Sequence, residues 1–204
     1  MSRRRRLVLA THNTHKEQEM KSLFYHMEIE IEGLGHYPEI GDIEESGTTL
    51  RENALIKART VHKITGNPSL ADDTGLEVNA LSGAPGVYSA RYAGENPSYE
   101  DNINKLLNDL NNIPENNRRA QFRTVMAFVD GDIELFSEGV IKGDITLVAR
   151  GDSGFGYDPI FQPDSTVKTF AEFTEEEKNR VSHRAIAAEK MKKILESYFE
   201  KENI

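Results

Sequence analysis

Leu7-Val8-Leu9-Ala10-Thr11-His12-Asn13-Thr14-His15-Lys16 changes character half-way, and the change sets the fold class. Four consecutive apolar residues read as a strand buried on both faces, as in a parallel sheet. The polar residues 11–16 follow as a loop. Thr14 with Glu17 three residues later predicts a capping box, and Leu23, Phe24 and Met27 then recur at helical spacing. The chain therefore opens strand, polar loop, helix. Residues 27–34 alternate, with Met27, Ile29 and Ile31 set against Glu28, Glu30 and Glu32, as a half-buried strand requires.

The same grammar continues outward. After a Gly- and acid-rich loop, Thr49 and Glu52 predict a second capping box, with Leu50, Ala54, Ala58 and Val61 on the inner helical face. Gly66-Asn67-Pro68 ends that helix. Ser69–Gly75 reads as a short strand running into a turn, and 76–81 as another strand. Ser98 and Asp101 open a third helix with Ile103, Leu106, Leu107 and Leu110 inward. The Asn-rich stretch 111–117 is a solvated loop. Residues 120–129 and 133–141 read as strands joined through Asp130-Gly131-Asp132, with a further strand near 144–149. Thr174 and Glu177 cap the last helical region, whose final helix turns Ala187, Met191, Ile194, Leu195 and Tyr198 to one side. Strands and helices in partial alternation predict an α/β fold, a mixed sheet flanked by helices, in one domain spanning 1–204.

Composition narrows the function. The chain has 204 residues, 37% hydrophobic and 29% charged, enough for about 70% of the unfolded surface to be buried. It contains no cysteine, which excludes disulfides, thiolate zinc sites and cysteine nucleophiles. A net charge of −9 and a pI near 5.2 argue against a broad nucleic-acid face, while leaving room for a local anion pocket. No apolar run approaches a membrane span, and the first ten residues lack the apolar core of a signal peptide. The expectation is a cytoplasmic protein without membrane or nucleic-acid partners. Arg3–Arg6 read as a solvated terminus.

Five segments carry candidate chemistry. Thr11, His12, Asn13, Thr14, His15 and Lys16 lie between a strand and a helix, where backbone N–H groups, hydroxyls and a lysine suit phosphate oxygens. The spacing is not that of a Walker A loop. Asp72 and Asp73, read at a strand's end, point to opposite faces, so one can bind Mg²⁺ or take a proton from water while the other orients neighbours. Glu44 or Glu45 can add a carboxylate from the acidic loop, and Lys57 lies on the helix that follows. Phe155-Gly156-Tyr157-Asp158 combines glycine freedom with flat aromatic faces. Lys178 and Ser182-His183-Arg184 flank a helix break, and their cations are donors only. Each segment also has a structural reading: a capped helix, a surface turn, a solvated acidic loop, a pinned turn, a helix-surface pair.

Six motifs in register raise these segments above coincidence: Thr11-x-Asn13-x-x-Lys16, Glu52-Asn53-Ala54-x-x-Lys57-Ala58, Ala71-Asp72-Asp73-Thr74-Gly75-Leu76, Gly83–Arg91, Gly154–Pro159 and Ser182-His183-Arg184. Together they resemble the inosine/xanthosine triphosphate pyrophosphatase family along nearly the whole chain. The resemblance implies a mixed α/β fold of two lobes with the substrate cleft between them, and a homodimer. It implies Mg²⁺-dependent hydrolysis of a non-standard purine nucleoside triphosphate (ITP, dITP or XTP) to the monophosphate and pyrophosphate. By the same resemblance Thr11–Lys16 would bind the triphosphate, with Lys57 and Arg91 in support. Glu44 and Asp73 would hold the metal, and Asp73 would be the proton acceptor. Thr74 would contact the nucleotide, and Phe155, Gly156, Tyr157, Asp158, Lys178, His183 and Arg184 would form the base pocket. Two features depart from the pattern: His12 and His15 stand where many members have glycine, and Thr74 where serine is commoner. A pyrophosphatase for other modified nucleotides and a non-catalytic nucleotide-binding module are the alternatives.

Overall fold

The computed structural model describes residues 5–201. Seven strands form one mixed sheet: β1 Arg5–Leu9, β2 Ile29–Gly33, β3 Ser69–Val78, β4 Pro85–Gly86, β5 Arg119–Asp130, β6 Ile133–Ile145 and β7 Phe161–Pro163. Their order is β2-β1-β3-β5-β6-β7, with β4 paired to β3. β1 runs parallel to β2 and β3, whereas β4 is antiparallel to β3 and β7 to β6. The helices are α1 Thr14–Leu23, α2 Leu50–Thr65, α3 Tyr99–Asp109, α4 Glu175–Val181 and α5 His183–Lys201. The α/β class and the mixed sheet expected from the pattern are what the chain forms. No helix among the described residues is long and apolar enough to cross a membrane.

The chain divides into two compact units. One contains the residues up to Asp73, Thr124–Gly139 and the residues from Ala185 onward; the other contains Thr74–Arg123 and Val140–Arg184. In the first, strand alternation sorts side chains between two apolar clusters. Leu7, Leu9, Leu70, Met126 and Phe128 pack with Met20 and Leu23 of α1 and with Ala187, Met191 and Leu195 of α5. Val8, Ala10, Ala71, Ala127 and Val129 pack with Ala54, Ala58 and Val61 of α2. The continuous apolar run at 7–10 is thus buried on both sides, as read. The second unit has its own core of Leu76, Val78, Ile103, Leu106, Leu110, Phe122, Phe161 and Phe170.

Local signals held at most helix ends. Thr49 with Glu52, Ser98 with Asp101 and Thr174 with Glu177 all form reciprocal capping boxes. The first helix differs: Asn13, not Thr14, is its N-cap, because the Asn13 side-chain oxygen accepts from the amides of both His15 and Lys16. β3 differs too. It is one strand through Asp72-Asp73-Thr74-Gly75 to Val78, with no turn at Gly75; the strand read over 76–81 is its last part, and Asn79–Leu81 form a 3-10 helix. Gly75 serves close approach rather than a bend, since a Cβ there would lie 2.7 Å from the Gly86 carbonyl oxygen. Likewise β6 continues to Ile145 through Gly143, whose Cβ would collide with the Gln162 carbonyl of the β7 neighbour; no separate strand forms near 144–149, since 144–145 are the end of β6 and 146–149 are irregular. Of the arginine run, Arg3 and Arg4 lie outside the described residues. Arg5 and Arg6 begin β1, where Arg6 pairs with Glu32 at 2.8 Å and Arg5 lies over Phe199.

Candidate active site

In the first unit, chemistry gathers where β1 ends and β3 runs on beyond it. The β1–β3 register ends at Leu9↔Leu70, and the Ala10 amide donates to the Leu70 carbonyl at 2.8 Å. The two aspartates therefore follow past the carboxyl end of a parallel strand, where open α/β sheets place their ligands. Alternation assigns each to a side. Asp72 shares the α1 face with Leu70 and lies 3.3 Å from Lys16 Nζ. Asp73 shares the α2 face with Ala71, and its Oδ1 accepts from Lys57 Nζ at 3.1 Å. Lys57 Nζ also meets Glu45 at 2.7 Å.

The group carries one negative charge in excess, with three carboxylates against two ammonium groups; Asp72, Asp73 and Lys57 are buried and Lys16 and Glu45 partly so. Asp73 is 6% exposed, and its Oδ2 is buried with no hydrogen-bond partner among the described residues. Such an atom is costly unless something binds it. Burial pushes the Asp73 carboxyl above the usual aspartate range, and Lys57 and Lys16 offset this only in part. Burial alone would lower the Lys57 ammonium, but Asp73, Glu45 and Asp72 outweigh it and hold the lysine above its ordinary value.

The N-terminus of α1 brings the rest of the first motif. Asn13 caps the helix at 3.0 Å and 3.2 Å from the His15 and Lys16 amides, and its own amide donates to Thr11 Oγ1. Thr14 and His15 are exposed on the first turn. His12 is exposed as well, and its Nε2 donates to the Gly41 carbonyl at 3.1 Å. From the acidic loop, Glu45 reaches Lys57, whereas Glu44 is exposed.

The second unit holds a different arrangement, built around Phe155. Asp158 is buried, and its Oδ2 accepts from Lys178 Nζ at 2.8 Å and from the Phe155 amide at 2.8 Å. Gly154 makes this possible: at φ +77° its backbone is left-handed, and a Cβ would lie 2.2 Å from that same Oδ2. Lys178 Nζ lies 4.8 Å from the Phe155 ring centroid and the Arg184 guanidinium 5.5 Å, both within cation–π range. Arg184, only 1% exposed, donates from Nη2 to Thr74 Oγ1 at 3.1 Å. His183 is buried and stacks on Phe122, with centroids 4.5 Å apart.

Tyr157 is a core residue rather than an open aromatic face, and its hydroxyl donates to the Ser89 carbonyl at 2.9 Å. Ser89 Oγ in turn donates to the Gly86 carbonyl and accepts the Leu76 amide. Gly156 has φ +63° and open space where a Cβ would stand, so its requirement is conformational. Arg91 lies outside this group, over the ring of Tyr88. Three structural roles went unread in the sequence: Asp72 as the partner of Lys16, Ser89 as a junction, and Asn53, which holds the acidic loop. Each lies in one of the six motifs, but no local pattern shows what it touches.

The Ham1 family model matches residues 7–194. The chain belongs to the Ham1 family. It is 48% identical over 190 residues to a dITP/XTP pyrophosphatase of Thermoanaerobacter pseudethanolicus, covering 93% of this chain and 96% of that one. A dITP/XTP pyrophosphatase of Bacillus subtilis is 42% identical over 191 residues at the same coverages. Among solved structures, the Staphylococcus aureus Ham1 protein superposes with a TM-score of 0.85 at 40% identity, covering 95% of this chain and all of that one. A HAM1 protein from Coxiella burnetii gives 0.86 at 42% identity, covering 95% and 99%. The family expected from the six motifs is the one found.

Proposed function

We propose that this chain hydrolyses non-standard purine nucleoside triphosphates, ITP, dITP and XTP, to the nucleoside monophosphate and pyrophosphate, and so removes them from the nucleotide pool. The observation that carries the chemistry is Asp73: a buried carboxylate with one oxygen hydrogen-bonded to a lysine and the other left for a ligand. The nearness of curated dITP/XTP pyrophosphatases supports the substrate class.

A divalent cation fits this group. The group's charges leave a negative excess, Asp73 Oδ2 lacks a protein partner among the described residues, and Glu45 adds a second carboxylate across Lys57. The described residues contain no cluster of three or more such ligands. Mg²⁺ keeps waters and takes one or two carboxylates plus substrate phosphates. In this proposal Asp73 and Glu45 hold Mg²⁺; Glu44, the residue the family register first suggested, is exposed on the same loop. When bound, Mg²⁺ would neutralise phosphate charge and make pyrophosphate a better leaving group.

The chain's own residues do the remaining work. Lys16 binds phosphate oxygens, with Thr11, Asn13, Thr14 and His15 around it; the His15 and Lys16 amides are held by the Asn13 cap, and the positive end of α1 adds to the attraction. Asp72 holds Lys16 at its post. Lys57 orients the Asp73 carboxylate through Oδ1. A water then attacks the α-phosphorus: its oxygen bonds to phosphorus, its proton passes to the Asp73 carboxylate, and the bond to the pyrophosphate oxygen breaks.

Base selection falls to the second group. Phe155 offers a face for the base, and Lys178 and Arg184 offer only donors, with His183 and Asp158 behind them. Hypoxanthine and xanthine present a 6-oxo acceptor, whereas adenine presents an amine. Each donor left without its ligand partner in a closed pocket costs about 1–3 kcal/mol, so two give discrimination of about 30-fold to 10⁴-fold.

The resemblance also implies a homodimer in the cytoplasm, and we include both in the proposal; sedimentation at micromolar concentration tests the dimer. The reaction itself is tested by hydrolysing ITP in ¹⁸O-water. Label in the IMP phosphate, with unlabelled pyrophosphate, is expected. Label in orthophosphate would overturn attack at the α-phosphorus.

A further inference from the structure

Asn53 and Gly47 have no part in the chemistry above, yet they meet where the acidic loop joins α2. Asn53 is fully buried, and its Oδ1 accepts the Gly47 amide at 2.8 Å. Gly47 is there by necessity: a Cβ would lie 2.6 Å from that same Oδ1 and 2.7 Å from Glu52 Cβ. Neither neighbour can yield, since one is a buried side chain and the other the root of a helical residue. Beside this contact, one oxygen of Glu52 accepts from the Thr48 amide, the Thr48 hydroxyl and the Thr49 amide. Those bonds are exposed and compete with water; the Asn53 contact is the more sheltered, its acceptor side chain being buried and its donor amide half-buried.

Asn53 and Lys57 are four residues apart on α2 and so share a face. Gly47 and Glu45 are two residues apart on the loop. The loop is therefore tied twice to one helix face, at Asn53 and at Lys57, and Lys57 reaches on to Asp73. Across 44–49, Glu-Glu-Ser-Gly-Thr-Thr, only position 47 lacks a Cβ. A slip of one residue in either direction would drive a side chain into Asn53 Oδ1.

We propose that the Asn53–Gly47 contact sets the register of the acidic loop, and thereby delivers Glu45 rather than Glu44 to Lys57 and Asp73. Asn53 is then a positioning residue that acts through Glu45. The placement stands on geometry alone; its catalytic consequence rests on the function proposed above.

The test uses Asn53→Ala and Gly47→Ala, which attack one contact from opposite ends. The readout is acylation of individual lysines by a water-soluble N-hydroxysuccinimide ester, followed by peptide mass spectrometry, without metal or nucleotide. Lys57 is buried beneath the loop, and Lys178, equally buried in the other unit, is the internal control. Loss of this half-buried hydrogen bond should raise Lys57 acylation about tenfold and leave Lys178 unchanged. With ITP, kcat should fall about tenfold while KM stays within about twofold, since the loop supplies a carboxylate and no phosphate donor.

Unchanged Lys57 acylation in both variants would overturn the proposal. So would a parallel rise at Lys178, which would make the contact a support of the whole fold. The unmodified protein gives a measurement that needs no variant: the Gly47 amide should exchange with deuterium about tenfold or more slowly than in an unstructured peptide of the same sequence. An unprotected Gly47 amide contradicts the clamp. If the unmodified protein releases no pyrophosphate from ITP while Lys57 behaves as expected, the functional reading fails and the loop register stands.

Discussion

The two clusters of polar groups are built on opposite principles. Around Asp73, a regular strand does the placing: alternation sends Asp72 to Lys16 and Asp73 to Lys57, and one carboxylate oxygen is left without a partner among the described residues. Around Phe155, an irregular loop does the placing. A left-handed glycine admits the Asp158 carboxylate, which then holds both the loop's amide and the Lys178 ammonium. The first cluster keeps ligand-binding capacity in reserve. The second uses its capacity to fix a platform and its donors. That is the difference expected between groups that carry a reaction and groups that read a shape.

Asp73→Asn is the severest way to break this contrast. It keeps the size of the side chain but removes the proton acceptor, and should lower kcat by about 10²–10⁴ with the fold retained. A rate near that of the unmodified enzyme would remove Asp73 from the chemistry.

Lys178→Ala should act on selection instead. Removing one donor should reduce the preference for ITP over ATP by about tenfold or more. It should also lower the melting temperature, because a buried carboxylate loses an ionic partner. An unchanged preference would make Lys178 a purely structural cation.

A smaller effect sharpens the electrostatics. Burial raises the folded pKa of Asp73 above its unfolded value, so its contribution to stability is present below the ordinary aspartate range. It is lost as pH rises through the raised folded value. Mg²⁺ binding to the ionised carboxylate should therefore raise the melting temperature more at neutral pH than in weakly acidic solution. Equal shifts at both would contradict a metal role for Asp73.

The smallest effect compares two glycines of one loop. Gly154→Ala meets both a left-handed φ and the Asp158 carboxylate, whereas Gly156→Ala meets only the φ. Thermal unfolding should show the first costing about 1–3 kcal/mol and the second about 1 kcal/mol. Equal costs would mean that Asp158 is not locked by the loop.

The same contrast explains what could be read in advance. Period and capping are local, so the apolar run at 7–10, the inner face of α2 and three capping boxes were legible in the residues. Closer contacts between distant segments were not. Asp72-Asp73-Thr74-Gly75 has the composition of a turn and lies within a strand because the Gly86 backbone packs against Gly75. His183 and Arg184 have the look of a surface pair and are buried, one against Phe122 and the other against Thr74. Glu44 and Glu45 are chemically identical neighbours, and the clash that separates them sits at Gly47. For α1 the error was of one residue, since Asn13 and Thr14 can both cap and only the structure shows which side chain meets the amides.

The most direct test presents the purified protein with dITP, XTP, dATP and dGTP in turn, with and without Mg²⁺, and scores pyrophosphate separately from orthophosphate. Pyrophosphate from dITP and XTP, dependent on Mg²⁺ and scarce from dATP and dGTP, is the predicted result. Orthophosphate as the product, or equal turnover of all four bases, would contradict it.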